Sequence, residues 1–390
     1  MKIIVIDISG KVPIYDVSLC EAIQERLGEK DSILFLCPLY DENPINKTRK
    51  FVNLVPKKYK NSEKIWKRLI KFLELLINYI ILIYEIIKEQ PNVIHFQWFP
   101  LLEITSLEYY VVKLMRVLSP QTKFILTIHN IYPHNNEPNK NRGYSRRFKH
   151  IARLLDSFIV HTEKTKSDVI NEFGINRDII KVVHHGIFAP KNFMPSHNSI
   201  NANSISFILY GNLSHYKGVD VFVEAIKLLP LTYQKRIHCV IAGEIQDKNL
   251  CSQLQDRCTN LNIEFFPYFL PEDELYKRID ESNVIVLPYR TISQSGVLLL
   301  ALYFKRFIIT SDLPTFKETL QGFADDMFFE SENPQSLANL MMRYVDGDVD
   351  FQRQMSAIER LNVTYSWEKA AEKTIRIYQE VIDNNKEYGK

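Results

Sequence analysis

The chain has 390 residues, 46% of them hydrophobic and 24% charged, with a net charge of +3. That is too long for one ordinary domain and suits two of similar size, each able to fill its own core. Five scattered cysteines without Cys/His metal spacing exclude a disulfide scaffold and a zinc module, and the basic residues form no aromatic-interleaved nucleic-acid motif.

The near-neutral balance hides a segregation. Residues 1–190 hold 28 Lys and Arg against 20 Asp and Glu, and the remainder is acidic. A basic first half points to an acidic partner such as anionic lipid or phosphate. An odd cysteine count, and a start that is short and carries Asp7, make a reducing, cytoplasmic setting the expectation rather than export.

Short apolar runs alternate with helix-length amphipathic segments along the chain. A first strand is expected over 3–8, ending at Ser9-Gly10, where glycine permits close backbone approach to a ligand. A helix over 16–27 and a strand over 33–37 follow. A long helix is then expected over 62–89. Its stretch 69–87 is membrane-like, but Lys71, Glu74 and Glu85 interrupt it, and its longest uncharged run is ten residues, against roughly 20 for a span. Lys57, Lys58, Lys60, Lys64, Lys67 and Arg68 lie before it, with Trp66 among them. Two readings stand: a peripheral anchor for an anionic membrane surface, or a core helix with a solvated basic end.

Strands over 93–96, 124–128, 158–161 and 180–184 alternate with helices over 105–118, 144–155 and 163–173. His95 and Trp98 stand at one strand end, and His129 at another, ahead of a loop holding His134. Strand ends of this kind border ligands in open α/β sheets. Thr162 reads as a helix N-cap. A basic cluster from Arg142 to Arg153 suits a phosphate, a membrane surface or a wet helix face.

The alternation breaks over 186–204, rich in Pro, Asn and Ser, and restarts with strands over 205–210, 237–242, 263–266, 284–287, 307–310 and 327–329. Strand–helix alternation implies parallel sheets with crossovers. The fold expected is α/β, with two doubly wound, Rossmann-like domains and a cleft between the C-terminal ends of their strands. Ser366 is a good N-cap for a closing helix that reaches about residue 381.

The most telling stretch is Tyr210-Gly211-Asn212-Leu213-Ser214-His215-Tyr216-Lys217-Gly218, between an apolar strand and a helix. A glycine turn at that junction gathers backbone N–H groups and a positive dipole end, and Lys217 adds a full charge, a combination suited to a diphosphate. It matches neither the P-loop nor GxGxxG. A second turn of small residues, Ser293-Gln294-Ser295-Gly296, opens a helix after Pro288-Tyr289-Arg290. Asp346-Gly347-Asp348 spells a metal motif but falls between late helices, where a solvated turn is expected, so no metal and no cofactor is assigned.

The Gly211 to Gly218 segment resembles the second-domain signature of the GT-B glycosyltransferases, family four, in which a Gly, five residues and Lys-Gly open the nucleotide-sugar domain. The resemblance extends from about residue 205 to the Ser366-Trp367-Glu368 start of the last helix, which in such proteins crosses back onto the first domain. It implies a first domain over 1–188 for the acceptor, a linker over 189–204, a donor domain over 205–365, and a returning helix over 366–390. It implies donor contacts at Gly10, Gly211, Asn212, Lys217, Gly243, Ser295 and Gly296, with Lys217 on the diphosphate. His129 falls where the family places a His near the transferred sugar, and His95, Trp98 and His134 fall on the acceptor side.

Two departures stand out. The family's Arg after the first Gly is Asn212 here, and Arg290 is expected to replace its charge. The family's Glu-x7-Glu pair falls at Ser293 and Ala301, so neither acid is present, and Glu318 is left as the candidate for ribose contact. The resemblance implies metal-independent sugar transfer with retention, from a nucleotide sugar to a saccharide, with a polyprenyl-diphosphate-linked acceptor of a bacterial surface polysaccharide as the expectation. A nucleotide-sugar epimerase and a noncatalytic nucleotide-sugar-binding module remain open alternatives.

Overall fold

The computed structural model describes residues 1–38, 45, 48–54, 65–132, 138–190, 193–196, 204–292 and 295–387. His134 and Ser293 lie outside them. The chain divides into two compact units, Met1–Gly186 with Ser366–Lys390, and Ile187–Tyr365.

Unit 1 is built on seven parallel strands: β1 (Lys2–Ile6), β2 (Ser32–Cys37), β3 (Thr48–Lys50), β4 (Val93–Phe96), β5 (Lys123–Thr127), β6 (Ser157–Val160) and β7 (Ile180–Val182), in the order β3-β2-β1-β4-β5-β6-β7. The inner strand β1 pairs Ile4 with Leu34 on one side and Ile94 on the other. Strands covered on both faces read as near-continuous apolar runs, and Ile3 to Ile6 and, but for His95, Val93 to Phe96 fit this, buried throughout.

Its helices are α1 (Pro13–Gln24), α2 (Ile65–Glu89), α3 (Leu107–Leu118), α4 (Pro138–Ala152), α5 (Glu163–Phe173) and the last helix of the chain, α14 (Trp367–Glu387). Helices α2, α3, α4 and α5 touch in chain order, while α1 packs against α14. Thr162 caps α5 by accepting from the Thr165 N–H, and the Ser366 hydroxyl accepts from Lys369 N–H at the start of α14. The last helix contributes Ala370, Ala371, Thr374, Ile377 and Tyr378 to the interior of unit 1. Gly186 leaves room for it: a Cβ there would stand 2.2 Å from the Trp367 ring.

Unit 2 carries six parallel strands: β8 (Ile205–Tyr210), β9 (Ile237–Ala242), β10 (Ile263–Phe266), β11 (Val284–Leu287), β12 (Phe307–Ser311) and β13 (Phe328–Phe329), ordered β10-β9-β8-β11-β12-β13. Its helices are α6 (Val219–Leu228), α7 (Leu231–Gln234), α8 (Lys248–Cys258), α9 (Glu272–Glu281), α10 (Gly296–Tyr303), α11 (Pro314–Thr319), α12 (Pro334–Asp346) and α13 (Phe351–Thr364). Each unit has its own apolar core.

Part of the stretch expected as a linker is anchored in unit 2. Phe193 packs on that core and its carbonyl accepts from the Tyr303 hydroxyl at 3.0 Å, while Ser196 N–H donates to Asp280 at 3.0 Å. Asp280 also pairs with Arg306.

Candidate active site

In unit 2 the buried strand β8 stops at Gly211, whose φ of +109° is a conformation glycine adopts without strain. Gly243 follows β9, and a Cβ there would stand 1.8 Å from the Gly211 carbonyl oxygen. Gly243, expected among the donor contacts, is thus required so that one turn can pass under the other. Gly218, at φ +67°, sits as close to the Pro288 carbonyl oxygen. The lysine loop is therefore clamped between the ends of β9 and β11.

Lys217 closes a single 3-10 turn over His215–Lys217 and is only 6% exposed. Its Nζ donates to the Tyr289 hydroxyl and lies 4.2 Å from that ring's centroid. Burial alone pulls its pKa down to about 8. Among the described residues no carboxylate pairs with it. A buried ammonium held by neutral partners is costly, and an anion arriving at the loop offsets that cost.

The second predicted turn lies beside it. A Cβ on Gly211 would meet Val297 Cγ2 at 3.1 Å and Lys217 Nζ at 3.7 Å, and the Tyr210 hydroxyl donates to the Val297 carbonyl. Ser295 caps α10 by accepting from the Leu298 N–H at 3.1 Å, and Gly296 opens the helix. Glycine turn, lysine and helix start thus converge on one spot, with the geometry of an anion site. Ala301, where the second family Glu would stand, is fully buried.

Arg290 does not supply the free charge expected of it. Its guanidinium makes two bonds to Asp220, at 2.9 and 2.8 Å, and one to the His215 carbonyl at 2.6 Å, with Glu332 3.7 Å away. Both edges of the fork are engaged, so Arg290 braces the lysine loop against the end of β11. Asp220 lies 70 residues away in sequence, and nothing local announces the pair.

Asn212 is exposed and lines a cavity of about 380 Å3 with Ser214, His215, Gln246, Asn249 and Gln253. Glu318 is half-buried on α11, near the Tyr365 hydroxyl. The same helix packs Phe316 against the Tyr289 ring that supports Lys217. Asp312, just ahead of α11, accepts from the Ser331 N–H at 3.0 Å, and Leu313 stands at the cap position. In the Asp346-Gly347-Asp348 turn after α12, Asp346 pairs with Arg236 and Asp348 with Arg343. Among the described residues no group of three or more His, Cys, Asp and Glu could hold a metal ion.

In unit 1 the predicted histidines belong to a larger buried cluster. His161 Nδ1 donates to the Val183 carbonyl at 2.9 Å, its Nε2 lies 3.3 Å from His129 Nδ1, and His129 Nε2 lies 3.3 Å from Gln97 Oε1. With a carbonyl oxygen at each end, two rings need three protons, one more than two neutral imidazoles carry. Either this pair holds an extra proton or the Gln97 amide turns to donate. Burial, followed by neighbouring histidines, holds His129 well below its ordinary pKa, which favours the turned amide. Tyr15 packs edge-on to His129 and His161, at 4.8 and 5.2 Å between centroids.

His95 is not an accessible acceptor contact. It is fully buried within β4, with Nδ1 2.7 Å from the Tyr378 hydroxyl and Nε2 2.7 Å from the Thr127 hydroxyl, and burial pushes its pKa down to about 3. It ties the last helix to the sheet. Trp98 and His129 do line one cavity, with Gln97, Asn130 and Tyr144. At about 20 Å3 that cavity has room for little more than a water. The Trp98 Nε1–H is buried without a partner, and Lys11 Nζ lies 5.6 Å from the indole centroid. Gly10, at φ +63°, is pinned by its N–H to Asp7 at 2.8 Å.

Comparison with known proteins agrees with this architecture. Residues 22–188 match the model of Glycosyltransferase Family 4, and residues 190–361 match that of Glycosyl transferases group 1. The chain superimposes on a glycosyltransferase from Rickettsia africae at a TM-score of 0.69 and 17% identity, covering 98% of both chains. Sucrose-phosphate synthase from Thermosynechococcus elongatus gives 0.70 and 16%, over 98% of this chain and 100% of that one. HepE from Anabaena, solved with UDP-glucose, gives 0.62 and 12%, over 99% and 100%. No curated protein matches the chain in sequence. The chain belongs to the GT-B glycosyltransferases and is of the family-four kind.

Proposed function

We propose that the protein transfers a sugar from a nucleotide-diphosphate donor to a saccharide acceptor. The observation that carries this reading is Lys217: a buried ammonium without a carboxylate partner, at the meeting point of a glycine turn and a helix start. Negative charge grows on the diphosphate as the sugar leaves, and a cation already desolvated and fixed in place stabilises that charge most. HepE, solved with UDP and with UDP-glucose, supports a nucleotide sugar as donor.

In this mechanism the bond from the anomeric carbon to the diphosphate oxygen breaks as the acceptor hydroxyl bonds to the same face. The acceptor proton passes to a diphosphate oxygen, so configuration is retained and neither a metal nor a carboxylate pair is needed. The resemblance to family four supports retention. The loop around Lys217 and α10 serve the donor, and the surroundings of Trp98 and His129 serve the acceptor. The acceptor we favour is a lipid-linked saccharide of a bacterial surface polysaccharide, with the protein at the inner face of the cell membrane.

A thermal-shift screen against nucleotide sugars tests this. A donor at about 100 times its dissociation constant adds about 2.7 kcal/mol of stability. Lys217→Ala should keep its fold, lose that shift, and turn over at least about a hundredfold more slowly, the scale for losing one charge-stabilising group. Transfer should survive EDTA. If no nucleotide sugar shifts the melting temperature, or Lys217→Ala turns over normally, the assignment fails.

A further inference from the structure

Helix α2 is apolar on both sides. Its inward face holds Tyr79, Leu82 and Ile86 together with Glu74, Asn78 and Glu85, all buried. Glu74 accepts from the Leu54 N–H at 2.9 Å, Asn78 exchanges bonds with the Val52 backbone, and Glu85 pairs with Arg49 at 2.9 Å. These polar groups hold the edge strand β3 and the chain after it. The outward face carries Leu69, Leu73, Ile77, Ile80, Tyr84 and Ile87, spaced four, four, three, four and three residues apart along one stripe. Leu69 is 62% exposed and Ile80 67%.

The neighbouring helix repeats the pattern. In α3, Glu108 is fully buried, with Tyr79 of α2 and Leu101 N–H as its donors, while Tyr110, Leu114 and Val117 face outward. Since α2 and α3 pack side by side, their outer faces form one apolar surface. It exposes nine large apolar side chains in two adjoining stripes, where singly scattered ones would need no explanation. A surface of that kind is energetically unfavourable in water and marks a contact.

The next helix in the row says what covers it. No carboxylate occurs in the sequence of α4, and Arg142, Arg146, Lys149 and His150 are exposed, with Arg153 just beyond. Among the described basic side chains of α4, Arg147 alone turns inward, onto the carbonyls of Leu102 and Glu103. Lys113 adds an exposed charge on α3, while Lys71 and Lys88 on α2 pair with Glu74 and Glu89. Among the described residues no helix is long and apolar enough to cross a membrane. An apolar face bordered by cations, on a helix too interrupted by charge to span, suits the boundary between acyl chains and anionic headgroups.

We propose that the outer surface of α2 and α3, bordered by the basic face of α4, docks onto an anionic lipid bilayer and lies on it without spanning. A second copy fits less well, because an isologous contact brings the same cationic border against itself. This inference goes beyond the transfer reaction and does not depend on Lys217.

Flotation with phosphatidylcholine vesicles containing about one-third phosphatidylglycerol tests it. The protein should float with these vesicles at low salt, and far less with pure phosphatidylcholine. Two variants separate the contributions: Leu73→Gln/Ile80→Gln/Leu114→Gln on the apolar face, and Arg142→Gln/Arg146→Gln/Lys149→Gln/Arg153→Gln on the basic one. Each should weaken partitioning at least about tenfold, since each surface charge and each buried apolar group contributes separately. Both should keep the wild-type melting temperature and its shift by nucleotide sugar, so a failed donor assignment leaves the flotation result standing. Absence of flotation by the wild type, or flotation that both variants retain, overturns the proposal. So does a dimer in light scattering that the apolar variant dissolves, because a second copy then covers the face.

Discussion

An ammonium with a pKa of about 8 is charged at neutral pH but loses its proton within the range of ordinary buffers. If Lys217 neutralises a donor diphosphate, kcat/KM for the donor should hold level below about 8 and fall above it, approaching tenfold per pH unit. A profile flat up to the unperturbed lysine value of 10.5 would count against the assignment. Lys217→Arg should abolish the bend, because guanidinium stays charged throughout. The shift acts on stability with its own sign. Folded and unfolded states are both neutral above 10.5, stability is lost as pH falls from there to about 8, and it is level below. At this scale the sequence shows lysine and glycines but not their supports. Tyr289 and Asp220 are 72 and 70 residues from the groups they hold. Their side chains are ordinary core and surface types, and only the fold brings them into place.

Individual elements were legible in proportion to their apolar content. Strands such as β1 and β11 are hydrophobic runs because both sheet faces are covered, and β4 is broken only by His95. Strand β3, Thr48–Lys50, carries no such signal: three polar residues at a sheet edge are held by backbone pairing to β2. Helix α2 was visible as a helix, yet which side faced inward was not, since its buried carboxylates answer to a backbone N–H and a guanidinium distant in sequence. Glycines offer a sharper test at this scale. Gly218 and Gly347 share left-handed conformations, with φ of +67° and +75°, but a Cβ on Gly347 meets nothing within 4 Å. Gly347→Ala should therefore cost only the conformational strain, about 1 kcal/mol. Gly218→Ala must also displace the Pro288 carbonyl and should cost at least about 3 kcal/mol. Paired melting curves would show the order, and equal losses would mean that the lysine loop is not clamped as described.

For the whole molecule, the alternation of strands and helices was enough to foresee two parallel sheets, which the strand orders and the GT-B neighbours bear out. The buried faces of the last helix lead to a further expectation. Removing residues after Tyr365 strips Ala370, Ala371, Ile377 and Tyr378 from the interior of unit 1 and leaves His95 Nδ1 without its hydroxyl partner. At about 1.5–3 kcal/mol for each large buried side chain, unit 1 should melt at least about 10 °C lower. Unit 2, which contains none of these residues, should keep its own transition. Coincident loss of both transitions in calorimetry would show that the two units do not unfold separately.

The path of the chain also sets an order of events at the ribosome. Unit 2 occupies one unbroken stretch, Ile187–Tyr365, and its two ends are joined by a hydrogen bond from Ile187 N–H to the Tyr365 carbonyl. Unit 1 is interrupted by it and needs Ser366 onward to fill its interior. Synthesis at about 5–20 residues per second delivers all of unit 2 before the last helix emerges. The second unit is complete in sequence while the first, although begun earlier, still waits with its α1 side uncovered. A released chain ending at Tyr365 should therefore display a protease-resistant second unit beside a first unit still open to attack, the reverse of the usual N-terminus-first order.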